Sequence, residues 1–555
     1  MSSSKAMIVA LVLAFSYVPI RQVYSTLSFH LSSLPHPFSD PSFVSSSSFP
    51  ASSSLSPLTL REDTIFGSRR DQATVNLSDY ERLAFCEDAV VLEVEDADHG
   101  KRQLGLVSCD PTRWEWNTVM GTLVNPRAGK GSLWVVDPLR AEANRLELDW
   151  KNDTPTDSHP LGIDLLPQSK SYSPDTLFVI NHSAAESNIE LFHLRCSPPL
   201  DCSASHVQTL SHPSFTGAPN SIAVTSPTSF YLSHDHRFNL RTTNRLRKLL
   251  NSAETLLALP LSYVDHVSFS PSPSPDALTE RIQVTRAVSN IAFANGIALS
   301  PSGKTLVVAS TTSRSIQMYS RDNETNELTS KPYRIVKVPF LVDNLSTTTL
   351  DFFDGDDQGI PPGSTSGPAS PVIKNPKKFE LNSDRAETEL TGEDDPFQLI
   401  ATGHPSFFHL LATAHRSPPF SLASIITAPL SLFSPKLRRI VEGKSREGVL
   451  GGWEHDWRKT RGLSWSVLIS NPPRASTSEF EWKNLYTSNG KGSADGNRGR
   501  GFGTSSTTIL GKNWVDLDKD QGKGGIGETK RKGSWKRWMM VVGLYEEGVK
   551  VAIED

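Results

Sequence analysis

Five oxygen-bearing side chains stand out by type and position: Glu87, Asn220, Asn295, Asp343 and Asn344. Most stand at or near the opening of a short apolar run, as in Asn220-Ser221-Ile222-Ala223-Val224 and Asn295-Gly296-Ile297-Ala298-Leu299. Two of the five are carboxylates and three are carboxamides. Together they make the donor set of a hard divalent cation. Ca²⁺ takes about six to eight oxygen ligands at roughly 2.3–2.6 Å. Two carboxylates balance the ion's charge, and three neutral oxygens fill its sphere without added repulsion. One or two positions then stay open for water and a substrate oxygen. Asn and Asp also cap turns and start strands for local reasons alone. The repeated placement just before Ile or Leu is what sets these residues apart.

The five are spread over some 250 residues, so the chain must return repeatedly to one point. Its texture supplies the means. From Glu81 onward it consists of short apolar runs such as Ala89–Leu92, Leu133–Val136, Leu177–Ile180 and Leu306–Ala309. These runs are rich in β-branched and aromatic residues and bounded by Gly, Pro, Asn and Asp, the pattern of strands in an all-β fold. A loose repeat opens with a polar residue, enters a strand and is followed by further strands. Asn220, Asn295 and Asp343 open such units about 75 and 48 residues apart. That spacing predicts the blades of a β-propeller, in which small sheets stack around an axis. The innermost strand of each blade lines the axial channel, so its first residues share one central space.

The segments that carry these residues resemble the paraoxonase/arylesterase family of calcium-dependent propellers. The resemblance rests on Glu87-Asp88, Leu161-Gly162-Ile163, Leu177 to His182, Pro219-Asn220-Ser221-Ile222 and Asp235-His236. It continues through Ala294-Asn295-Gly296-Ile297, Leu341-Val342-Asp343-Asn344-Leu345-Ser346 and Gly403-His404-Pro405. It implies a six-bladed β-propeller that hydrolyses aryl esters or lactones. It also implies a catalytic calcium on Glu87, Asn220, Asn295, Asp343 and Asn344. Two departures matter. The family's second calcium uses an Asp where this chain has Ser221, together with Asp88 and the carbonyl of Ile163. A Ser hydroxyl is a neutral, weaker ligand, which leaves a second calcium with less support than the first. The family's His before Gly-Ile is Leu161 here. The remaining candidates for a general base are His182, His159 two residues before Leu161, and Asp343. An imidazole suits that role near neutral pH. His236 and His404 match positions expected to line the pocket.

The 555 residues carry a net charge of −4, which gives no sign of nucleic-acid binding. Residues 1–25 hold Lys5 and an apolar run from Ala6 to Ile20. That run reads as a signal peptide or uncleaved signal anchor, hence a secretory, extracellular or membrane-anchored location. Lipid or membrane contact through this end follows. Residues 26–75 read as a Ser/Pro-rich linker, and 76–555 as the propeller. Solvated, disordered insertions are expected at 350–396 and 487–535, and a helical stretch around Phe407–Ala414. A bridge is expected between Cys196 and Cys202, and Cys86 and Cys109 are candidates for another, though sequence leaves the connectivity open. Among the sequons, glycans are expected on some of Asn76, Asn152, Asn181 and Asn323, and not on Asn344. The small-molecule substrate is an ester or lactone. The alternative is a non-catalytic, calcium-binding secretory propeller that holds a lipid or protein. No Gly-x-Ser-x-Gly elbow stands in a strand–turn–helix context, which argues against a serine hydrolase.

Overall fold

A computed structural model describes most of residues 83–349 and the segments 395–414, 463–471, 482–488, 504–516, 533–545 and 549–554. It also describes N-terminal pieces at 45–47 and 60–66 and a few single residues. The expected signal or anchor segment lies outside the described residues. Among those residues no helix is long and apolar enough to cross a membrane.

Among the described residues the strands form six sheets of four or five strands each, the blades of a propeller, and one two-stranded hairpin of Trp116–Asn117 with Thr122–Leu123. The inner strands, in chain order, are Cys86–Asp96, Pro160–Leu166, Pro219–Ser226, Ala294–Leu299, Leu341–Thr348 and Ser505–Asp516. Each lies beside the next, and the sixth lies beside the first, so the ring closes.

Period-two alternation builds the ring. In blade 2, Leu177 joins the core shared with blade 1, whereas its neighbour Phe178 joins the core shared with blade 3. In blade 4, Val307 packs toward blade 5 and Val308 toward blade 3. In blade 5, Leu399 faces blade 4 and Ile400 faces blade 6. The core between blades 6 and 1 joins Met540 to Val107. Strands covered on both faces read as continuous apolar runs rather than alternating ones. This is why Thr305–Ser310 and Phe397–His404 are buried throughout.

Two expectations about organisation change. Part of the stretch expected as linker is structural: Ser45–Ser47 adds to the edge of blade 5, and Leu60–Phe66 pairs with Val549–Glu554 as the outer strand of blade 6. Phe38 is buried against Trp465. Nor is 487–535 one solvated insertion, because Ser505–Asp516 is the inner strand of blade 6. Its β-branched Thr507, Thr508 and Ile509 favour a strand, but they sit amid Gly, Ser and Lys that masked the signal. Most of 350–396 lies outside the described residues.

The expected helix forms at Phe407–Ala414 and is called α2; α1 is Arg245–Leu256. Both disulfides form, Cys86–Cys109 and Cys196–Cys202. Asn181 is no glycan site: it is buried, accepts from His159 N–H at 2.9 Å and donates to Glu190 at 3.3 Å. Asn323 is exposed, Asn344 is buried, and Asn76 and Asn152 lie outside the described residues.

Candidate functional site

All six inner strands break register near their start. The slips fall between Cys86 and Asp88, Pro160 and Ile163, Pro219 and Ile222, Ala294 and Ile297, Val342 and Leu345, and Ser505 and Thr507. A β-bulge leaves residues unpaired and re-aims their side chains. The residues in the slips include Glu87, Leu161, Asn220, Asn295, Asp343 and Asn344. The bulges thus present the five oxygen donors to the channel.

Two glycines allow this close approach, Gly296 between blades 4 and 5 and Gly403 between neighbouring strands of blade 5. A Cβ on Gly296 would lie 2.5 Å from Asn344 Cα and 2.7 Å from the Asp343 carbonyl oxygen. A Cβ on Gly403 would lie 1.9 Å from the Leu341 carbonyl oxygen.

Glu87, Asn220, Asn295 and Asp343 line one cavity of about 40 Å³ together with Leu161 and His404. Asn295 Nδ2 donates to Asp343 Oδ1 at 2.7 Å. His404 Nε2 lies 3.0 Å from Asp343 Oδ2. Asn344 Nδ2 donates to Glu87 Oε1 at 2.9 Å and to Thr507 Oγ1 at 2.9 Å. The carboxamide nitrogens of Asn295 and Asn344 are thereby turned onto protein acceptors. Their oxygens, with Glu87 Oε2 and Asn220 Oδ1, are buried and have no hydrogen-bond partner. Buried polar atoms are nearly always paired. Four partnerless acceptors drawn from the five residues that the chemistry singled out fit a cation.

The electrostatics agree. Burial pushes the Glu87 carboxyl well above the usual carboxylate range, and the negative charges of Asp88 and Asp343 push it further. Arg113 and the bond from Asn344 oppose the shift. A dication among these groups would reverse that balance. Among the described residues no three His, Cys, Asp or Glu side chains cluster to hold a metal. This donor set relies on carboxamides instead.

The three candidate bases separate in space. Only Asp343 lines the cavity. His182 does not, and both its ring nitrogens are taken. Nε2 lies 2.7 Å from the Pro219 carbonyl oxygen and must carry the proton, so Nδ1 accepts from Thr118 Oγ1. Burial first, then the nearby Arg241 charge, hold the imidazole well below its ordinary pKa. His159 is buried with Nδ1 at 2.9 Å from Asp110 Oδ2, and it too is absent from the cavity wall. Of the two further histidines, His404 lines the cavity, whereas His236 stands behind Phe293 and bonds Thr255 at 2.6 Å.

The residues of the second expected site also meet, in a separate part of the channel of about 260 Å³. Their oxygens are engaged. Asp88 Oδ2 accepts from Ile163 N–H at 2.9 Å, Oδ1 accepts from Ala89 N–H at 2.8 Å, and Ser221 Oγ accepts from Ile297 N–H at 3.2 Å. Asp164, not singled out in the sequence, lines the same space. Burial pushes its carboxyl up to about 7 and that of Asp88 to about 6.

The family model for arylesterases matches residues 125–356. That span holds Asn220, Asn295, Asp343 and Asn344, within a propeller that brings Glu87 to them. Over that span the chain is similar to the arylesterase family. Human serum paraoxonase/arylesterase 1 is 32% identical over 170 residues, which are 31% of this chain and 41% of that protein. Rat serum paraoxonase/lactonase 3 is 28% identical over 201 residues, 36% of this chain and 48% of that protein. The chain thus spans less than half the length of these curated relatives. The cavity wall adds groups that sequence did not reveal, Val119, Met120, Phe293 and Leu410, which come from loops and from α2.

Proposed function

We propose that this protein is a calcium-dependent hydrolase of aryl esters, lactones or both. The observation that carries this reading is four partnerless buried oxygens, three of them on residues that line one cavity and the fourth on Asn344, which bonds Glu87 of that wall. Each such acceptor costs about 1–3 kcal/mol when left unpaired, so four together call for a positive partner. No Lys or Arg lines the wall among the described residues. Relatives named arylesterase and lactonase supply the substrate class.

Glu87, Asn220, Asn295, Asp343 and Asn344 would hold one Ca²⁺. When bound, the ion supplies Lewis-acid polarisation of the ester carbonyl and charge stabilisation for the oxyanion. Asp343 is the general base. Asn295 Nδ2 holds its Oδ1 and His404 Nε2 faces its Oδ2, and the carboxylate takes up the proton of an attacking water. Leu161, Val119, Phe293 and Leu341 keep bulk water from the reacting atoms. Two disulfides support a secretory location for this chemistry, with the N-terminal apolar run as its lipid or membrane contact.

Purified protein should hydrolyse phenyl acetate or a δ-lactone, and a chelator should abolish the activity. Asn295→Ala and Asp343→Ala should each lower kcat by about 100-fold or more. Turnover that survives chelation would remove the cation from the mechanism. One observation favours a second reading, a calcium-stabilised propeller without turnover: the cavity holds only about 40 Å³. That reading predicts a calcium-dependent melting temperature with no hydrolysis across an ester and lactone panel.

A further inference from the structure

Blade 6 sends no acidic or carboxamide group into the constellation, yet its inner strand carries a bulge like the others. At that bulge stands Thr507, which is buried. Its Oγ1 touches three groups. It accepts from Asn344 Nδ2 at 2.9 Å, and it lies 2.9 Å from the Glu87 carbonyl oxygen and 3.1 Å from Asp88 Oδ1. One hydroxyl has one proton, so it accepts from Asn344 and donates toward Glu87 or Asp88.

The consequence lies in which end of the Asn344 carboxamide is left without a protein partner. A carboxamide can turn about its last torsion and exchange its oxygen for its nitrogen. Acceptors on the nitrogen side, Glu87 Oε1 and Thr507 Oγ1, fix it with Oδ1 partnerless. The same hydroxyl braces the backbone of Glu87, the other oxygen donor in contact with Asn344.

We propose that Thr507 is a positioning residue of the cation site, the sixth blade's contribution, which orients Asn344 and Glu87 and so sets calcium affinity. The inference rests on the calcium reading above. It is tested by calorimetric titration of Ca²⁺ into wild type, Thr507→Val, Thr507→Ala and Thr507→Ser, with melting curves recorded in chelator. Removal of one hydrogen bond to a buried polar group should weaken calcium binding by about tenfold in Thr507→Val and Thr507→Ala. Thr507→Ser should stay within about threefold of wild type, and melting without calcium should be the same in the Ser and Ala variants. Because Ser and Ala differ by the hydroxyl alone, their comparison stands even if the Val variant fails to fold. Equal calcium affinity in Thr507→Ala and Thr507→Ser would overturn the assignment while leaving the calcium reading intact. So would a loss that only tracks a lower melting temperature in chelator. Wild type that takes up no calcium would overturn both.

Discussion

At the scale of single residues, the site depends on what is absent as much as on what is present. Gly296 has no side chain, and a Cβ there would meet backbone atoms of Asp343 and Asn344 that cannot swing aside. Gly296→Ala is therefore expected to destabilise the fold by about 1–3 kcal/mol and to weaken calcium binding. Gly105 is the contrast. A Cβ there meets the end of the Met540 side chain, which can move, so Gly105→Ala should cost less in the same thermal melt. The buried acids give a pH prediction. Burial pushes the folded Asp164 carboxyl up to about 7, against an ordinary carboxylate value of 3.8. The folded state thus binds the proton more tightly than the unfolded chain, and stability falls as pH rises from about 4 through about 7. In cation-free protein, Asp164→Asn should raise the melting temperature at pH 8 and leave it nearly unchanged at pH 4. An unchanged melting temperature at pH 8 would show that the Asp164 carboxyl is solvated.

At the scale of elements, α2 covers the cavity. Phe407 and Leu410 line it, and Trp114 Nε1 donates to the Thr413 carbonyl oxygen at 3.1 Å. Leu410 also joins a small apolar cluster with Leu544 and Tyr545. A cavity of about 40 Å³ is several-fold smaller than the roughly 300 Å³ that small-molecule sites usually offer. If the hydrolase reading holds, α2 must shift to admit an ester. Leu410→Ala should then raise kcat/KM for bulky aryl esters more than for phenyl acetate. Equal effects on the two substrates would place the obstruction elsewhere. The N-terminal strand makes a separate claim. Removal of residues 1–66 strips Leu60–Phe66 from Val549–Glu554 and leaves an open strand edge. That truncation should lower the melting temperature and raise light scattering on heating, whereas loss of residues 1–25 should do neither.

At the scale of the whole molecule, the oxygen donors come from four different blades, so one cation would tie blades 1, 3, 4 and 5 together at the axis. Calcium should then raise the melting temperature of the whole ring, by about 4 kcal/mol of stability at a thousandfold excess over its Kd. The sequence by itself determined the all-β class and the repeat, and singled out the oxygen-bearing side chains of Glu87, Asn220, Asn295, Asp343 and Asn344, because strand period and polar openings are local properties. It did not reveal Thr507, whose strand is hidden among Gly, Ser and Lys. Nor could it show that His182 and His159 turn away from the cavity, since the acceptors that hold them, the Pro219 carbonyl and Asp110, come from other parts of the chain. Only the tertiary structure decided those orientations and the position of each bulge, because the histidines are held by neighbouring blades and each bulge is a slip in how two strands pair, not a property of the residues beside it in the chain.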